Sequence, residues 1–169
     1  VSYGNGPAMN EIPVKHRLWR PGGILALWFG AGLAPKAPGT FGSLAALPFG
    51  LAAAYWDGAY AVLALAVIIF LIGVRETGRY INDGGSHDPG EVVIDEVAGQ
   101  LVPLAFVPIG FLPYLAAFIL FRAADILKPW PCSLIDRTST SAFGVMADDI
   151  VAGLYAVVGV LALDYGGAW

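Results

Sequence analysis

The chain has 169 residues, 57% of them hydrophobic and only 13% charged, with a mean hydropathy of +0.70. Soluble domains carry about 25% charged residues, so the composition selects a membrane-embedded protein and excludes intrinsic disorder, and the length suits one domain. A net charge of -4 excludes a chain built to grip a nucleic-acid backbone, and one cysteine, Cys132, excludes an internal disulfide and a thiolate metal cluster.

In chain order, Lys15, Arg17 and Arg20 precede the apolar residues 24–33 as the n-region of a signal peptide precedes its h-region. Two glycines interrupt that stretch, and Pro38-Gly39-Thr40 follows closely. Residues 1–20 are therefore expected to form a polar, partly mobile arm on the cytoplasmic side, and residues 21–169 a single membrane-embedded helical domain. The apolar runs 41–56 and 59–74 are separated only by the turn dipeptide Asp57-Gly58, which predicts a helical hairpin. Each run is roughly 16 residues, about 24 Å of helix against a ~30 Å hydrocarbon core. Lys36 before the hairpin and Arg75 and Arg79 after it belong together on the cytoplasmic face.

Residues 101–120 have the length of one transmembrane helix, but Pro103, Pro108, Gly110 and Pro113 fall inside them. Proline removes a helix donor and restricts the residue before it. The segment is expected to split at Pro108-Ile109-Gly110 into helices near 92–107 and 112–127, so that the acids flanking it emerge on one side. A final helix is expected near 146–163 with Asp148 and Asp149 in its first turns, after a polar surface loop at 128–144. The predicted fold class is all-α: a polytopic, membrane-embedded bundle of short helices, hairpin-paired and broken by Pro and Gly.

Asp88, Glu91, Asp95, Glu96, Asp125, Asp136, Asp148 and Asp149 are eight of the 13 acids, and they sit beside apolar segments where unpaired charge is costly. On a helix Glu91 and Asp95 share a face, whereas Glu96 points about 100° away. Carboxylates without His or Cys suit Mg²⁺ or Mn²⁺ better than zinc. Ion pairing with Arg79, Arg122, Lys128 and Arg137, or helix capping, would account for the same acids without metal. The stretch from Lys36 to Ser43 opens a helix with glycines, hydroxyls and a cation, which suits an anion site at free backbone N–H groups; Thr40 as a simple N-cap is the alternative. Arg122 and Asp125, at i and i+3, share a helix face shortly before Lys128 and form either a substrate-binding pair or an intrahelical salt bridge. Cys132 and Arg137 enclose four residues, one short of a thiolate phosphate loop, and His16 and His87 are isolated.

Taken together, Leu33-Ala-Pro-Lys-Ala-Pro-Gly-Thr-Phe-Gly-Ser-Leu44, Val92-Val-Ile-Asp-Glu-Val-Ala-Gly99, and Phe121-Arg-Ala-Ala-Asp-Ile-Leu-Lys-Pro-Trp-Pro131, running on to Asp136-Arg137 and Met146-Ala-Asp-Asp149, resemble the phosphatidylglycerophosphatase A family over about residues 24–155. The resemblance implies a Mg²⁺-dependent helical phosphatase of the bacterial cytoplasmic membrane, its site facing the cytoplasm, that takes a phospholipid from the bilayer and converts phosphatidylglycerophosphate to phosphatidylglycerol. It implies catalytic and metal-binding roles for Asp95, Glu96, Asp125, Asp148 and Asp149. Substrate contacts fall to Lys36, Gly39, Thr40, Gly42, Ser43, Arg122, Lys128 and Arg137. Relatives often carry paired glycines where this chain has Ser141-Ala142-Phe143-Gly144. The electrostatics agree, because a doubly charged phosphomonoester beside clustered carboxylates is repelled unless divalent metal bridges them. Water attack and an aspartyl-phosphate intermediate both remain open, as does a homo-oligomer. Among rival readings, a divalent-cation transporter needs its carboxylates at mid-membrane depth; another metal-dependent lipid phosphatase or a phosphotransferase is the nearest enzymatic alternative.

Overall fold

The computed structural model describes residues 14–82, 90–134 and 141–169, and among these every regular element is helical. In chain order they are α1 (Val14–Arg17), α2 (Gly23–Ala26), a 3-10 helix (Trp28–Leu33), α3 (Pro38–Asn82), α4 (Ile94–Leu104), α5 (Phe111–Leu127) and α6 (Ala142–Tyr165).

α3 is two helical arms joined at Asp57 (φ -149°, ψ 36°) and Gly58 (φ 61°, ψ -145°). The positive φ at Gly58 lies where a side chain is disfavoured. A β-carbon on Gly42 would lie 2.8 Å from Val93 Cβ, and one on Gly73 would lie 3.5 Å from Ile94 Cγ2. In a straight helix those glycines would be ~46 Å apart at 1.5 Å per residue, so the chain must reverse for both to reach the start of α4. The hairpin expected at Asp57-Gly58 is present.

α4 is the centre of the molecule. Of its eleven residues all but Glu96 are buried. At about 16 Å it is too short to span a bilayer; it packs between the arms of α3 on one side and α5 and α6 on the other. Its contact with α6 is made through glycines. A β-carbon on Gly99 would meet the Asp149 carbonyl at 2.5 Å, and one on Gly153 would meet the Gly99 carbonyl at 2.6 Å. Small residues facing each other let two backbones approach this closely. The break expected at Pro108-Ile109-Gly110 is also present, since α4 ends at Leu104 and α5 begins at Phe111.

Two expectations need correction. α6 begins at Ala142 and not near residue 146, because the Ser141 side chain accepts a hydrogen bond from the Gly144 N–H at 3.2 Å and caps the helix. Asp148 and Asp149 consequently sit in its second turn. Glu91 precedes α4 and does not share a helix face with Asp95; it pairs with Arg17 at 2.5 Å and accepts from the Tyr80 hydroxyl at 3.1 Å. The N-terminal region is docked from there onward: Ala26 and Leu27 are fully buried, and the Ala26 carbonyl accepts from the Val93 N–H at 2.9 Å.

The outer faces remain apolar. Phe41, Phe49, Val67, Leu71, Leu112, Ile119, Leu154 and Val158 are all exposed, an arrangement that water penalises and lipid does not. Tyr55, Trp56 and Tyr60 project around the Asp57-Gly58 turn, where interfacial aromatics belong. α3 and α6 are each long and apolar enough to cross a membrane. The chain is a membrane protein.

Candidate active site

The site begins at the first turn of α4. Its N-cap residue, Val93, has no capping side chain, and the Asp95 carboxylate accepts the Glu96 N–H at 3.0 Å instead. Asp95 and Glu96 are thereby fixed where α4 meets α6. The close approach of Gly99 to the Asp149 backbone brings in the third acid: carboxylate oxygens of Asp95, Glu96 and Asp149 lie within 4.8 Å of one another. These three line a cavity of about 320 Å³ together with Asp125, Lys128 and Asp148.

Two cations approach the acids from α5, of which Lys128 lines the cavity and Arg122 does not. Arg122 is 2.6 Å from Asp125 and 4.0 Å from Glu96, and it donates to the Ser43 hydroxyl at 3.2 Å. Lys128 adopts a left-handed conformation (φ 43°) at the end of α5, and its ammonium lies 2.9 Å from Asp148. Asp125 and Asp148 thus each face a basic partner. Asp95, Glu96 and Asp149 cluster together, with Arg122 4.0 Å from Glu96 and with Asp125 and Asp148 beside Asp149.

Burial, above all, drives the Glu96 carboxyl up to about 8, with the charges of Asp149 and Asp125 adding to it and Asp95 and Arg122 opposing. Burial followed by the neighbouring Glu96 charge puts Asp95 well above the usual carboxylate range. A divalent cation would relieve both. The donor set fits one: all three groups offer hard oxygens, and Glu96 Oε2 is buried without a hydrogen-bond partner. Such a set suits Mg²⁺.

The family model for phosphatidylglycerophosphatase A matches residues 24–164. The chain belongs to the phosphatidylglycerophosphatase A family. A Haemophilus influenzae protein named phosphatidylglycerophosphatase A is 40% identical over 152 residues, covering 89% of this chain and 93% of that one. An Escherichia coli protein of the same name is 38% identical over 141 residues, covering 82% and 80%. A Bacteroides thetaiotaomicron protein, provisionally named a phosphatidylinositol-3-phosphatase, is 34% identical over 148 residues, covering 80% and 88%. No solved structure matches.

The glycine-rich segment of this family member behaves differently from the expected nest of free amides. The Thr40 and Phe41 N–H groups both donate to the Ala37 carbonyl, at 2.9 and 3.4 Å. Pro38 has no N–H to offer. Lys36 is exposed, and neither it nor Thr40 nor Gly42 lines the cavity; Gly42 is closed off beneath Val93. Ser43 is fully buried, donating to the Gly39 carbonyl at 2.9 Å while accepting from Arg122. Gly39 matters for space, since a β-carbon there would overlap Glu96 Oε1 and lie 3.2 Å from Arg122 Nη1. Arg137, with Asp136, Asp88 and His87, lies outside the described residues. Gly90, Val92, Ile126, Gly144 and Val145 complete the cavity wall. They carry no chemical signature, and the sequence offered no means of finding them.

Proposed function

We propose that the chain is a phosphatidylglycerophosphatase that hydrolyses the terminal phosphomonoester of phosphatidylglycerophosphate in a Mg²⁺-dependent reaction. The observation that carries this is the buried trio Asp95, Glu96 and Asp149, with oxygens within 4.8 Å of one another, beside two cations held by separate acids. Asp95, Glu96 and Asp149 would hold the metal, which when bound polarises phosphoryl oxygens and acidifies water. Asp148 orients Lys128, which lines the cavity and faces the charge that develops on the phosphoryl group; Asp125 and Ser43 hold Arg122 beside Glu96, just behind the cavity wall. The five acids, given one shared role on sequence grounds, thus divide into a metal-holding trio and a cation-positioning pair. A phosphomonoester offers more charge and one more terminal oxygen than the phosphodiester deeper in the same head group, which favours the terminal phosphate.

The arms of α3, together with α5 and α6, form the membrane-crossing shell around α4. Arg17 and Tyr80 meet at Glu91, next to Gly90 in the cavity wall, so Arg75 and Arg79 lie at the cavity end of the molecule. The positive-inside rule then turns the cavity toward the cytoplasm in a bacterial inner membrane. Lipid would reach it laterally, at head-group depth.

The test is inorganic phosphate release by purified protein from phosphatidylglycerophosphate, phosphatidylinositol 3-phosphate and soluble glycerol phosphate, each with Mg²⁺ and with chelator. Mg²⁺-dependent release, fastest from phosphatidylglycerophosphate, is expected. Preference for the inositol lipid would move the assignment toward the name carried by the Bacteroides relative, and equal turnover of glycerol phosphate would remove the lateral-access component.

A further inference from the structure

Gln100 is fully buried, yet neither Oε1 nor Nε2 of its side chain has a hydrogen-bond partner among the described residues. A carboxamide offers two donor hydrogens and an acceptor oxygen, and hiding them unpaired from water is costly. Its place on α4 suggests what it is for. Gln100 follows Glu96 by four residues, so the two side chains lie on one face, a turn apart. Glu96 Oε2 is also buried and unpartnered, as is Nε of Arg122. Arg122 reaches toward Glu96 from α5, with Nη1 and Oε1 4.0 Å apart. The unpaired atoms are complementary in kind: Gln100 Nε2 and Arg122 Nε donate, whereas Gln100 Oε1 and Glu96 Oε2 accept. Thr77 Oγ1, Tyr114 OH and Trp169 Nε1, unpaired as well, belong to the second arm of α3, to the first turn of α5 and to the C-terminus.

We propose that Gln100 is a positioning residue whose carboxamide, through ordered water, fixes the Glu96 carboxylate and the Arg122 guanidinium from behind the acid cavity. Buried water persists where two to four polar atoms converge on it, and Gln100, Glu96 and Arg122 together carry four unpaired ones. Gln100 is not among the residues lining the cavity, so it acts through Glu96 and Arg122, not on the phosphoryl group. The proposal deepens the phosphatase reading and rests on Glu96 being a site residue.

Gln100→Met removes the polar atoms at nearly constant volume. The variant is expected to fold with an unchanged or higher melting temperature, because an unsatisfied group has gone. Its kcat should fall about tenfold, or ~1.4 kcal/mol in the barrier, with KM for the lipid within about twofold. Mn²⁺ affinity, read by electron paramagnetic resonance on the protein without substrate, should weaken severalfold. Gln100→Asn retains an amide that one water can extend, and it should recover part of both losses. Should Gln100→Met fail to fold, the shorter, branched Gln100→Leu takes its place with the same expectations. Wild-type kcat and Mn²⁺ affinity in the apolar variant, or an Asn variant no better than it, would overturn the proposal. If wild-type protein released phosphate from no lipid, the phosphatase reading would fail, and the Mn²⁺ comparison would still decide the role of Gln100.

Discussion

Gly39 and Glu96 approach so closely that a methyl group on the glycine would overlap a carboxylate oxygen of the glutamate. The obstructing atom is the end of a flexible side chain, so Gly39→Ala should cost little stability and act by displacing the carboxylate. Misplacement of a site group by about 1 Å costs roughly a hundredfold in rate. Phosphate release should therefore fall by one to two orders of magnitude, with a melting temperature close to wild type. A variant of normal activity would mean that Glu96 does not need its present position.

Asp95→Asn and Asp149→Asn each replace a buried carboxyl, which at Asp95 burial, above all, keeps from ionising, with a neutral amide of the same size. The metal-free protein should be no less stable than wild type, since no buried charge has to be formed. The rise in melting temperature on adding Mg²⁺, which follows from binding to the folded state alone, should shrink or vanish along with activity. Loss of activity with the full Mg²⁺-induced rise retained would count against these acids as ligands.

Glu96 holds its proton up to about pH 8 without metal, chiefly because it is buried. Metal binding needs the ionised carboxylate, so below that pH each bound cation must displace a proton. Apparent Mg²⁺ affinity should rise with pH, by up to about tenfold per unit for one displaced proton, and level off above pH 8. Calorimetry in two buffers of different ionisation enthalpy would register proton release near neutrality; its absence would show Glu96 already ionised or uninvolved.

Lys128→Ala and Arg122→Ala should differ. Lys128 is partly exposed, so roughly a tenfold fall in kcat/KM with an intact fold is expected. Arg122 and Asp125 are both largely buried, and removing one partner of a buried pair costs about 3–5 kcal/mol. Thermal melts of the two variants in detergent would distinguish these outcomes; equal stability would argue against a buried Arg122 pair.

Cys132 is buried against Phe121, Ala152 and Ala156, and burial pushes its thiol up from the ordinary value. A thiol kept protonated is a poor nucleophile. Cys132→Ser should retain most activity, and the native enzyme should resist iodoacetamide; strong loss in a folded serine variant would restore a thiolate mechanism.

The features legible in the sequence were those written in local chemistry. Asp57-Gly58 and Pro108-Ile109-Gly110 interrupt helices by their own backbone preferences, and both breaks lie where those preferences put them. The clustered carboxylates could be read as one site because unpaired charge beside apolar helices requires a partner. Long-range partners were not legible. Nothing near Glu91 in the sequence points to Arg17, and nothing near Ser43 says that its hydroxyl is enclosed between the Gly39 carbonyl and Arg122. The glycines of the Lys36 to Ser43 segment matched a phosphate loop equally well, and only their neighbours in space show that Gly39 and Gly42 make room for α4.

The enclosure of α4 separates two demands that a bilayer enzyme must meet. Membranes differ in thickness, and a helix in contact with lipid adjusts by tilting or by drawing the surrounding lipid to its own length. In the proposed arrangement those adjustments fall on the arms of α3, on α5 and on α6, whose outer faces carry the exposed apolar side chains. Asp95 and Glu96 ride on an inner helix that presents no apolar face to lipid, and their distance from Asp149 is set by backbone contact between Gly99 and α6. That arrangement would insulate the spacing of the three carboxylates from lipid composition, as a gauge block is insulated from the frame that carries it.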